Sequence, residues 1–205
     1  MGRLVRIIKK IFGKQVVINP IYNPYVYKNN QESFCGGTLD GEKLLIVTNI
    51  DENTAEFNMM QQSIHIERAL YTVKNVSSES FDIQNESNIE PYKHIINVIK
   101  FTDKDSSDSV EKIYQLLQKE VEYMISCNAS EGNSICTVVI SDDTVLLCTL
   151  KTLIKGLGYT LGNHGIINNG IVSEHKAPFE GLFHTAIYMS SKFGHILSGE
   201  VIEFR

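Results

Sequence analysis

Short, continuous apolar runs divide the chain after residue 39 into a regular series. The clearest run is Leu44–Thr48, with the sequence LLIVT. Further runs of the same kind occupy 69–73, 95–101, 135–140, 166–172 and 200–204, and a weaker one occupies 81–83. Runs of this length without polar alternation are typical of strands buried on both faces of a parallel sheet. The pattern therefore predicts a parallel β-sheet with one strand at each run.

Longer amphipathic stretches lie between these runs. Asp108 and Glu111 form a plausible capping pair for a helix that reaches about Ile125. Its apolar stripe consists of Val110, Ile113, Tyr114, Leu117, Val121, Met124 and Ile125. Ser141 or Asp142 caps a second long helix that reaches about Leu161, and a short helix is expected near 182–190. Strands that alternate with helices predict an α/β fold: a reduced, Rossmann-like, doubly wound parallel sheet.

A separate N-terminal region, residues 1–38, precedes this domain of residues 39–205. Residues 3–14 place five apolar side chains at helical spacing, and Gly13 suits the end of that helix. The five are Leu4, Ile7, Ile8, Ile11 and Phe12. The following segment 16–27 contains Pro20 and Pro24, which favour an extended arm. The sequence thus predicts an amphipathic helix and an arm before the domain.

The charge of the chain is uneven. Of the 19 Lys and Arg residues, five lie in residues 1–14, which contain no acid. This leaves 14 basic residues for the remainder of the chain, against all 24 acidic ones. A nucleic acid needs a basic face that displaces its counterions, so an acidic body argues against a nucleic-acid partner.

The cysteines and histidines do not suggest a metal site. The four cysteines include no Cys-x-x-Cys pair, and the six histidines are scattered. The apolar stretch at residues 4–12 is interrupted by charges and lacks a cleavage site for a signal peptide. No apolar run approaches the ~18 residues that span a bilayer. These features favour a cytoplasmic protein with reduced thiols.

Three segments resemble the short-chain dehydrogenases/reductases. The stretch Thr152–Val172 resembles the end of that family's long helix and the strand after it, with Asn169 where the family carries Asn. Residues Thr185–Phe204 resemble its closing run, and Leu39–Thr48 its opening strand. The likeness spans about residues 39–205 and is weakest in the middle of the chain. It implies a dinucleotide-binding fold whose functional positions can be compared one by one.

The dinucleotide-binding positions have been lost. After its first strand the family carries Thr-Gly-x-x-x-Gly-x-Gly, whose glycines let the backbone approach the pyrophosphate. By this resemblance Asn49, Asn53 and Ala55 occupy the glycine positions, and Asp51 and Glu52 add negative charge. Side chains would fill the space of the phosphates, and carboxylates would repel them. No dinucleotide is therefore expected to bind.

The catalytic positions are also degenerate. The family's Tyr-x-x-x-Lys pair corresponds to Asp143 and Leu147, counted back from the end of the long helix. Ser141 lies near the position of the family's catalytic serine but is better interpreted as a helix cap. The family's Asn-Asn-Ala-Gly motif is absent, and Asn97 is the single candidate for a trace of it.

This pattern predicts a non-catalytic pseudoenzyme that acts as a structural or regulatory subunit. In the family, the two long helices pack against a second subunit, so the resemblance implies a dimer through them. The partner is an active reductase of the same family in a biosynthetic pathway, or a second copy of this chain. The expected interface residues are Ile113, Leu117, Val121, Leu146, Leu150, Leu153, Ile154 and Leu157.

The alternative is a divergent oxidoreductase that uses NAD or NADP with a non-standard active site. Its best candidate residues are Ser141, Asp143, His164 and His175. The sequence shows no triad-like relation among these four.

The N-terminal helix has two interpretations that a binding measurement distinguishes. Its apolar face either docks onto protein or lies on an anionic membrane surface, with the basic residues toward the headgroups. We expect docking, so liposome co-sedimentation should be equally low for the full-length chain and for a version that starts at Leu39. Selective sedimentation of the full-length chain would instead establish contact with the membrane.

Overall fold

A computed structural model of the chain describes residues 38–76, 91–101, 106–127, 132–191, 194 and 197–204. The chain divides into two units, Met1–Cys35 and Gly36–Arg205, and all that follows concerns the second. The predicted N-terminal helix with its apolar residues, the arm and the weak strand at 81–83 lie outside the described residues. These features stay predictions.

The described residues form six strands and four α-helices. The strands are β1 (Lys43–Thr48), β2 (Leu70–Asn75), β3 (His94–Lys100), β4 (Asn133–Ile140), β5 (Ile166–Ser173) and β6 (Val201–Phe204). The helices are α1 (Ala55–Glu67), α2 (Ser106–Ser126), α3 (Thr144–Leu161) and α4 (Phe179–Ser190), and a 3₁₀ turn, Gly162–His164, follows α3. Apart from the run at 81–83, each apolar run of the sequence is a strand.

The strands form one parallel sheet in the order β2-β1-β3-β4-β5-β6. Helices cover both faces, which confirms the doubly wound α/β prediction. Along β1, Leu44 and Ile46 face the core shared with α1 and α4, whereas Leu45 and Val47 face the core shared with α2 and α3. Burial on both faces explains why these strands lack polar alternation.

The helices start at positions that differ from those expected. The helix α2 begins at Ser106, so Asp108 lies inside it and is not its cap. The cap of α3 is Asp143 rather than Ser141 or Asp142, because the Asp143 carboxylate accepts from the amides of Val145 (2.8 Å) and Leu146 (3.1 Å). A carboxylate there satisfies two free amides and suits the positive end of the helix dipole.

Glycines allow α3 to lie close to the sheet. A β-carbon on Gly170 would lie 2.7 Å from Ile154 of α3, and one on Gly158 would lie 2.3 Å from the α-carbon of Gly199. The side chain of Asn168 also donates to the carbonyl of Ile154 (2.9 Å). These contacts fix the height and position of α3 over β5.

One stretch, Thr144–His164, is long and apolar enough by length and composition to cross a membrane. This corrects the expectation that no segment approaches that length, since Lys151 and Lys155 interrupt the run without making it polar. A core helix of a soluble protein meets the same criterion. The close approach of α3 to β5 and the hydrogen bond from Asn168 to Ile154 are those of a helix packed on the sheet of a folded α/β domain.

A buried carboxyl group lies between α2 and the sheet. Asn97 of β3 donates to Glu120 Oε2 (2.8 Å) and to Thr137 Oγ1 of β4 (3.2 Å). The second oxygen of Glu120 and the amide oxygen of Asn97 have no hydrogen-bond partner. Burial raises the pKa of Glu120 to about 8, although the hydrogen bond from Asn97 opposes the change. Glu120 is therefore mostly protonated in the folded protein at neutral pH.

Replacing Glu120 with Gln should flatten the dependence of stability on pH. Folding raises the pKa of Glu120 from 4.5 to about 8, so the protonated group contributes its full stability below pH 4.5. This contribution is lost as the pH rises to 8. We expect wild-type protein to lose about 3 kcal/mol of unfolding free energy through this group between pH 5 and 8. Urea unfolding at both pH values should show that Glu120→Gln loses much less.

The control for this experiment is Glu122→Gln, on the exposed side of the same helix. Its pH profile should match that of wild type. Equal pH dependence in Glu120→Gln and wild type would show that Glu120 ionises normally in the folded chain.

Candidate functional site

The topology places a crevice at the carboxyl ends of β1 and β3. The chain moves from β1 to β2 on one side and then crosses to β3 on the other side of β1. Open α/β sheets bind their ligands at such a switch point, outside the carboxyl ends of the strands. Here the lining comes from the loop 49–54 after β1 and from the end of β3.

The side chain of Asn49 bridges this crevice. Its Nδ2 donates to the carbonyl oxygen of Lys100 (2.7 Å), and its Oδ1 accepts from the Lys100 amide (2.9 Å). An amide side chain in this arrangement adds one more rung to the pairing of β1 with β3. The Lys100 ammonium forms an ion pair with Glu56 of α1 (3.0 Å). Its charge is thus balanced within the chain.

The rest of the loop makes its own hydrogen bonds at the start of α1. The amide and the side chain of Asn53 both donate to Asp51 Oδ1 (2.8 and 3.0 Å). The hydroxyl of Thr54 caps α1 by accepting from the amide of Phe57 (3.2 Å). Ala55 is the first residue of the helix. In folds with a glycine-rich loop, the start of this helix binds the pyrophosphate. In this chain the start of α1 is capped by the Thr54 side chain and lies beside acidic groups.

The expected catalytic positions have structural roles at the carboxyl ends of β4 and β5. Ser141 is buried, its amide donates to the carbonyl of Ser173 (2.9 Å), and its hydroxyl accepts from the amide of Asp143 (3.1 Å). Asp143 is the cap of α3, so its carboxylate is already engaged. Leu147 is buried in the core under α2 and α3. Ser141 and Asp143 thus serve the start of α3, and Leu147 serves the core.

A link between Asp142 and His175 joins the loops that follow β4 and β5. The amide of His175 donates to Asp142 Oδ1 (3.1 Å), and His175 Nδ1 lies 3.2 Å from Asp142 Oδ2. The Nδ1 contact is close enough for an ion pair but lacks hydrogen-bond geometry. The backbone hydrogen bond from His175 is the main reason that the pKa of Asp142 is lowered. This pair ties the second half of the crevice together.

The remaining candidates are separated from this region. His164 follows α3 in the 3₁₀ turn and precedes β5, so it lies at the amino edge of the sheet, opposite Ser141 and His175. Asn97 lies inside β3 and not after it, so it is not a trace of the missing motif. Among the described residues, no group of three His, Cys, Asp or Glu is placed to hold a metal ion.

Sequence reasoning missed the bridging roles of Asn49 and Asp142. The only signal for the first was an amide residue directly after a buried strand, which is also common in ordinary turns. The signal for the second was weaker, since Asp142 and His175 are far apart in sequence and meet only because β4 and β5 are neighbours.

The predicted interface residues on α2 and α3 divide into two groups. Three of them, Val121, Leu153 and Leu157, are partly exposed and contact the core at its edge. The other five are buried within this chain and form its own core: Ile113, Leu117, Leu146, Leu150 and Ile154. Those five support the outer surface of the two helices from beneath and are not available to a partner.

Apart from Leu153, the side chains of the outer surface differ from the predicted ones. A groove of about 540 Å³ runs between the helices and is lined by Val110, Glu111, Tyr114, Thr149, Thr152 and Leu153. Beyond it, Val145 is 71% exposed, Tyr159 87% and Ile125 45%. The helix α3 contains no acid and only two lysines, and 28% of its apolar stretch is buried within the chain. We call this surface, from α2 and α3, the α2/α3 face.

Comparison with known proteins identifies the fold. No family model and no curated protein sequence matches the chain. Among solved structures, a short-chain dehydrogenase from Mycobacterium smegmatis matches with a TM-score of 0.60 and 9% identity, over 82% of this chain and 93% of that one. An oxidoreductase of the short-chain dehydrogenase/reductase family from Brucella ovis, in complex with a partially ordered NAD, matches with a TM-score of 0.58 and 10% identity, over 80% and 100%.

A third match is BdcA from E. coli, with a TM-score of 0.56 and 10% identity, over 82% of this chain and 100% of that one. The described domain therefore has the Rossmann-like fold of short-chain dehydrogenase/reductase structures, as the three sequence segments indicated. Identities near 10% establish the fold alone.

The Asn49 bridge should contribute measurably to stability. We expect Asn49→Ala to lower the free energy of unfolding by about 1 kcal/mol, because it removes both hydrogen bonds between the β1 loop and β3. Urea unfolding measures this directly. The control is Asn58→Ala on the exposed side of α1, where alanine suits the helix and should cost nothing. Unchanged stability of Asn49→Ala would show that the bridge is not maintained in solution.

Proposed function

We propose that this chain is a non-catalytic subunit with a short-chain dehydrogenase/reductase-like fold that neither binds a dinucleotide nor transfers a hydride. The observation that supports this is the Asn49 bridge, since its two hydrogen bonds to Lys100 cross the place where such folds bind a ligand. The Asp142–His175 link joins the loops after β4 and β5 at the same edge of the sheet. Both contacts lie at the edge of the sheet where such folds bind their ligands.

The electrostatics of the crevice support the same proposal. A pyrophosphate is favoured by free amides and by positive charge at a helix start. The start of α1 instead has Asp51, Glu52 and Glu56 within a few residues, and the nearby ammonium of Lys100 is paired with Glu56. A pyrophosphate there would be repelled.

We further propose that the chain acts by pairing its α2/α3 face with an active reductase of the same fold. The face combines exposed apolar side chains with an open groove, and α3 has few charges on it. Exposed apolar side chains grouped on one side of two helices are typical of an interaction site. Pairing would bury Val145 and Tyr159, which are mostly exposed in the isolated chain. A second copy of the chain is the competing occupant.

The absence of cofactor binding can be tested by thermal unfolding of the full-length chain with saturating NADH or NADPH. A ligand that binds only the folded state raises the melting temperature by mass action, so we expect no shift with either cofactor. A clear upward shift would overturn the first proposal and favour the divergent oxidoreductase that uses NAD or NADP.

The pairing can be tested by Val145→Glu, assayed by light scattering coupled to size-exclusion chromatography. Glutamate suits the first turn of α3, so the variant should fold normally while placing a charge in the contact. We expect it to lose association with a co-expressed, catalytically intact reductase of the same fold. The control is Ile66→Lys, an exposed apolar residue in the last turn of α1, on the other face of the sheet, which should pair like wild type.

Each outcome of this experiment decides between the occupants. If the chain alone is a dimer that Val145→Glu converts to monomer, the occupant is a second copy. If the chain is a monomer and the reductase does not bind it, or if Val145→Glu pairs normally, the proposed surface is wrong.

A further inference from the structure

The α2/α3 face contains a recess and a projection on the same side of α3. The recess is the groove between the two helices, and Thr152 forms part of its wall. The projection is the largely exposed Tyr159, which lies about two turns further along the helix and therefore on the same side as Thr152. The exposed Gly156 lies between them, about one turn from each. Groove, glycine and tyrosine thus follow one another along the outer side of α3.

The walls of the groove suit a large apolar side chain. Val110 and Tyr114 line it from α2, and Leu153 lines it from α3. Thr149 and Thr152 complete the α3 wall, and each hydroxyl donates to the carbonyl one turn earlier in the helix (2.8 and 3.0 Å). Because these hydroxyl hydrogens are used within α3, an apolar occupant leaves neither of them without an acceptor.

Glu111 gives the groove a negative charge. It is the one charged residue among the described side chains that line the groove. Its Oε1 accepts from the neutral side chain of Gln115 (2.8 Å), and it forms no ion pair with any residue that the structure describes. A basic side chain of a partner, placed beside the apolar one, would complement this charge.

The packing of this chain does not explain the glycine at position 156. A β-carbon on Gly156 would meet nothing within 4 Å, whereas one on Gly158 would lie 2.3 Å from the α-carbon of Gly199. Gly158 is therefore required by the fold, but Gly156 lies in the exposed middle of α3, where alanine would stabilise the helix. The distance between two packed helices depends on the side chains at their contact, so a second helix can approach α3 most closely at Gly156.

The fold also indicates how a similar subunit would lie on this face. Both α2 and α3 run from the carboxyl edge of the sheet to its amino edge, because each joins two neighbouring parallel strands. Two subunits of one fold that pair through the same helices make reciprocal contacts about a twofold axis. If that axis crosses α3 at Gly156, the partner's helix runs in the opposite direction. The partner's counterpart of Tyr159 then lies over the groove.

We propose that a helix of the active reductase crosses α3 in the opposite direction at Gly156 and inserts a large apolar side chain, flanked by a basic residue, into the groove beside Glu111. Tyr159 makes the reciprocal contact on the reductase. This inference rests on the proposed function, since it describes how the reductase occupies the α2/α3 face. It makes the shape of the groove, rather than the apolar character of the face as a whole, the feature that selects the partner.

Filling the groove tests its role directly. In Thr152→Trp an indole ring occupies the groove from an exposed position of α3, so the chain should fold and the partner's side chain should be excluded. We expect the dissociation constant of the full-length chain from the catalytically intact reductase to rise at least about tenfold. The control is Gln62→Trp, which adds the same ring at an exposed position of α1 on the other face of the sheet and should bind like wild type.

A second pair of variants tests the crossing point. Gly156→Leu places a side chain between the two helices, so we expect pairing to be lost while the melting temperature of the chain alone is not lowered. In the control, Gly162→Leu, the same side chain is added where nothing lies within 4 Å either, but about 120° away around the helix axis. This control should pair like wild type.

A charge reversal tests the basic residue expected on the reductase. Glu111→Lys should weaken the pairing by about tenfold, because two positive charges would then meet at the groove. The control is Glu122→Lys, an equal change of charge at an exposed position of α2 that does not line the groove. We expect a smaller effect from this control, and equal effects of the two reversals would show that Glu111 does not face a basic residue.

The failure of this inference can be distinguished from the failure of the proposed function. If Val145→Glu abolishes pairing but Thr152→Trp and Gly156→Leu pair like wild type, the proposed function stands and this inference is wrong. If the wild-type chain does not bind the reductase, both are wrong. If these substitutions instead dissociate a dimer of the chain alone, a second copy occupies the groove and the reductase does not. Thr149→Trp fills the same groove and decides the question if Thr152→Trp fails to fold.

Discussion

Burial of the central strands on both faces is the constraint on which the rest of this structure depends. Because β1, β3 and β4 are apolar on both sides, helices must cover both faces, and parallel strands must be joined by crossovers through those helices. The crossovers change direction at β1, and this creates the crevice at its carboxyl end. The location of the crevice is thus a consequence of the hydrophobic pattern rather than of any residue in it.

The polar groups differ in what they do at the two edges of the sheet. At the carboxyl edge, Asn49 and Asp142 connect the ends of neighbouring strands. At the amino edge, the buried ring of His94 connects β3 with β4 and with the turn before β1 through contacts with Ser134 and Glu42. Between them, Glu120 stays in the core mainly as a neutral acid. Polar side chains therefore link strand ends at both edges of the sheet, and the neutral acid between them makes the core sensitive to alkali.

The α2/α3 face illustrates why an apolar helix pattern does not identify an interface. The apolar periodicity of α2 and α3 correctly predicted helices. Residues such as Leu150 and Ile154, however, are buried in the chain's own core. The surface offered to a partner is set by Val145, Tyr159 and the groove between the helices. Periodicity finds the side of a helix that is apolar, whereas the packing of α3 on Gly170 decides how much of that side is covered.

The sequence by itself determined the strands, the long helices and the doubly wound sheet, because continuous apolar runs and helical spacing are local signals of burial. It also identified the substituted glycine positions Asn49, Asn53 and Ala55, which are read from the chain in order. Only the tertiary structure decided what those residues contact: Asn49 reaches Lys100, Asp142 reaches His175 and Glu42 reaches His94 across 51, 33 and 52 residues. Such pairs form where separate strand ends meet, and no local pattern encodes which ends are neighbours.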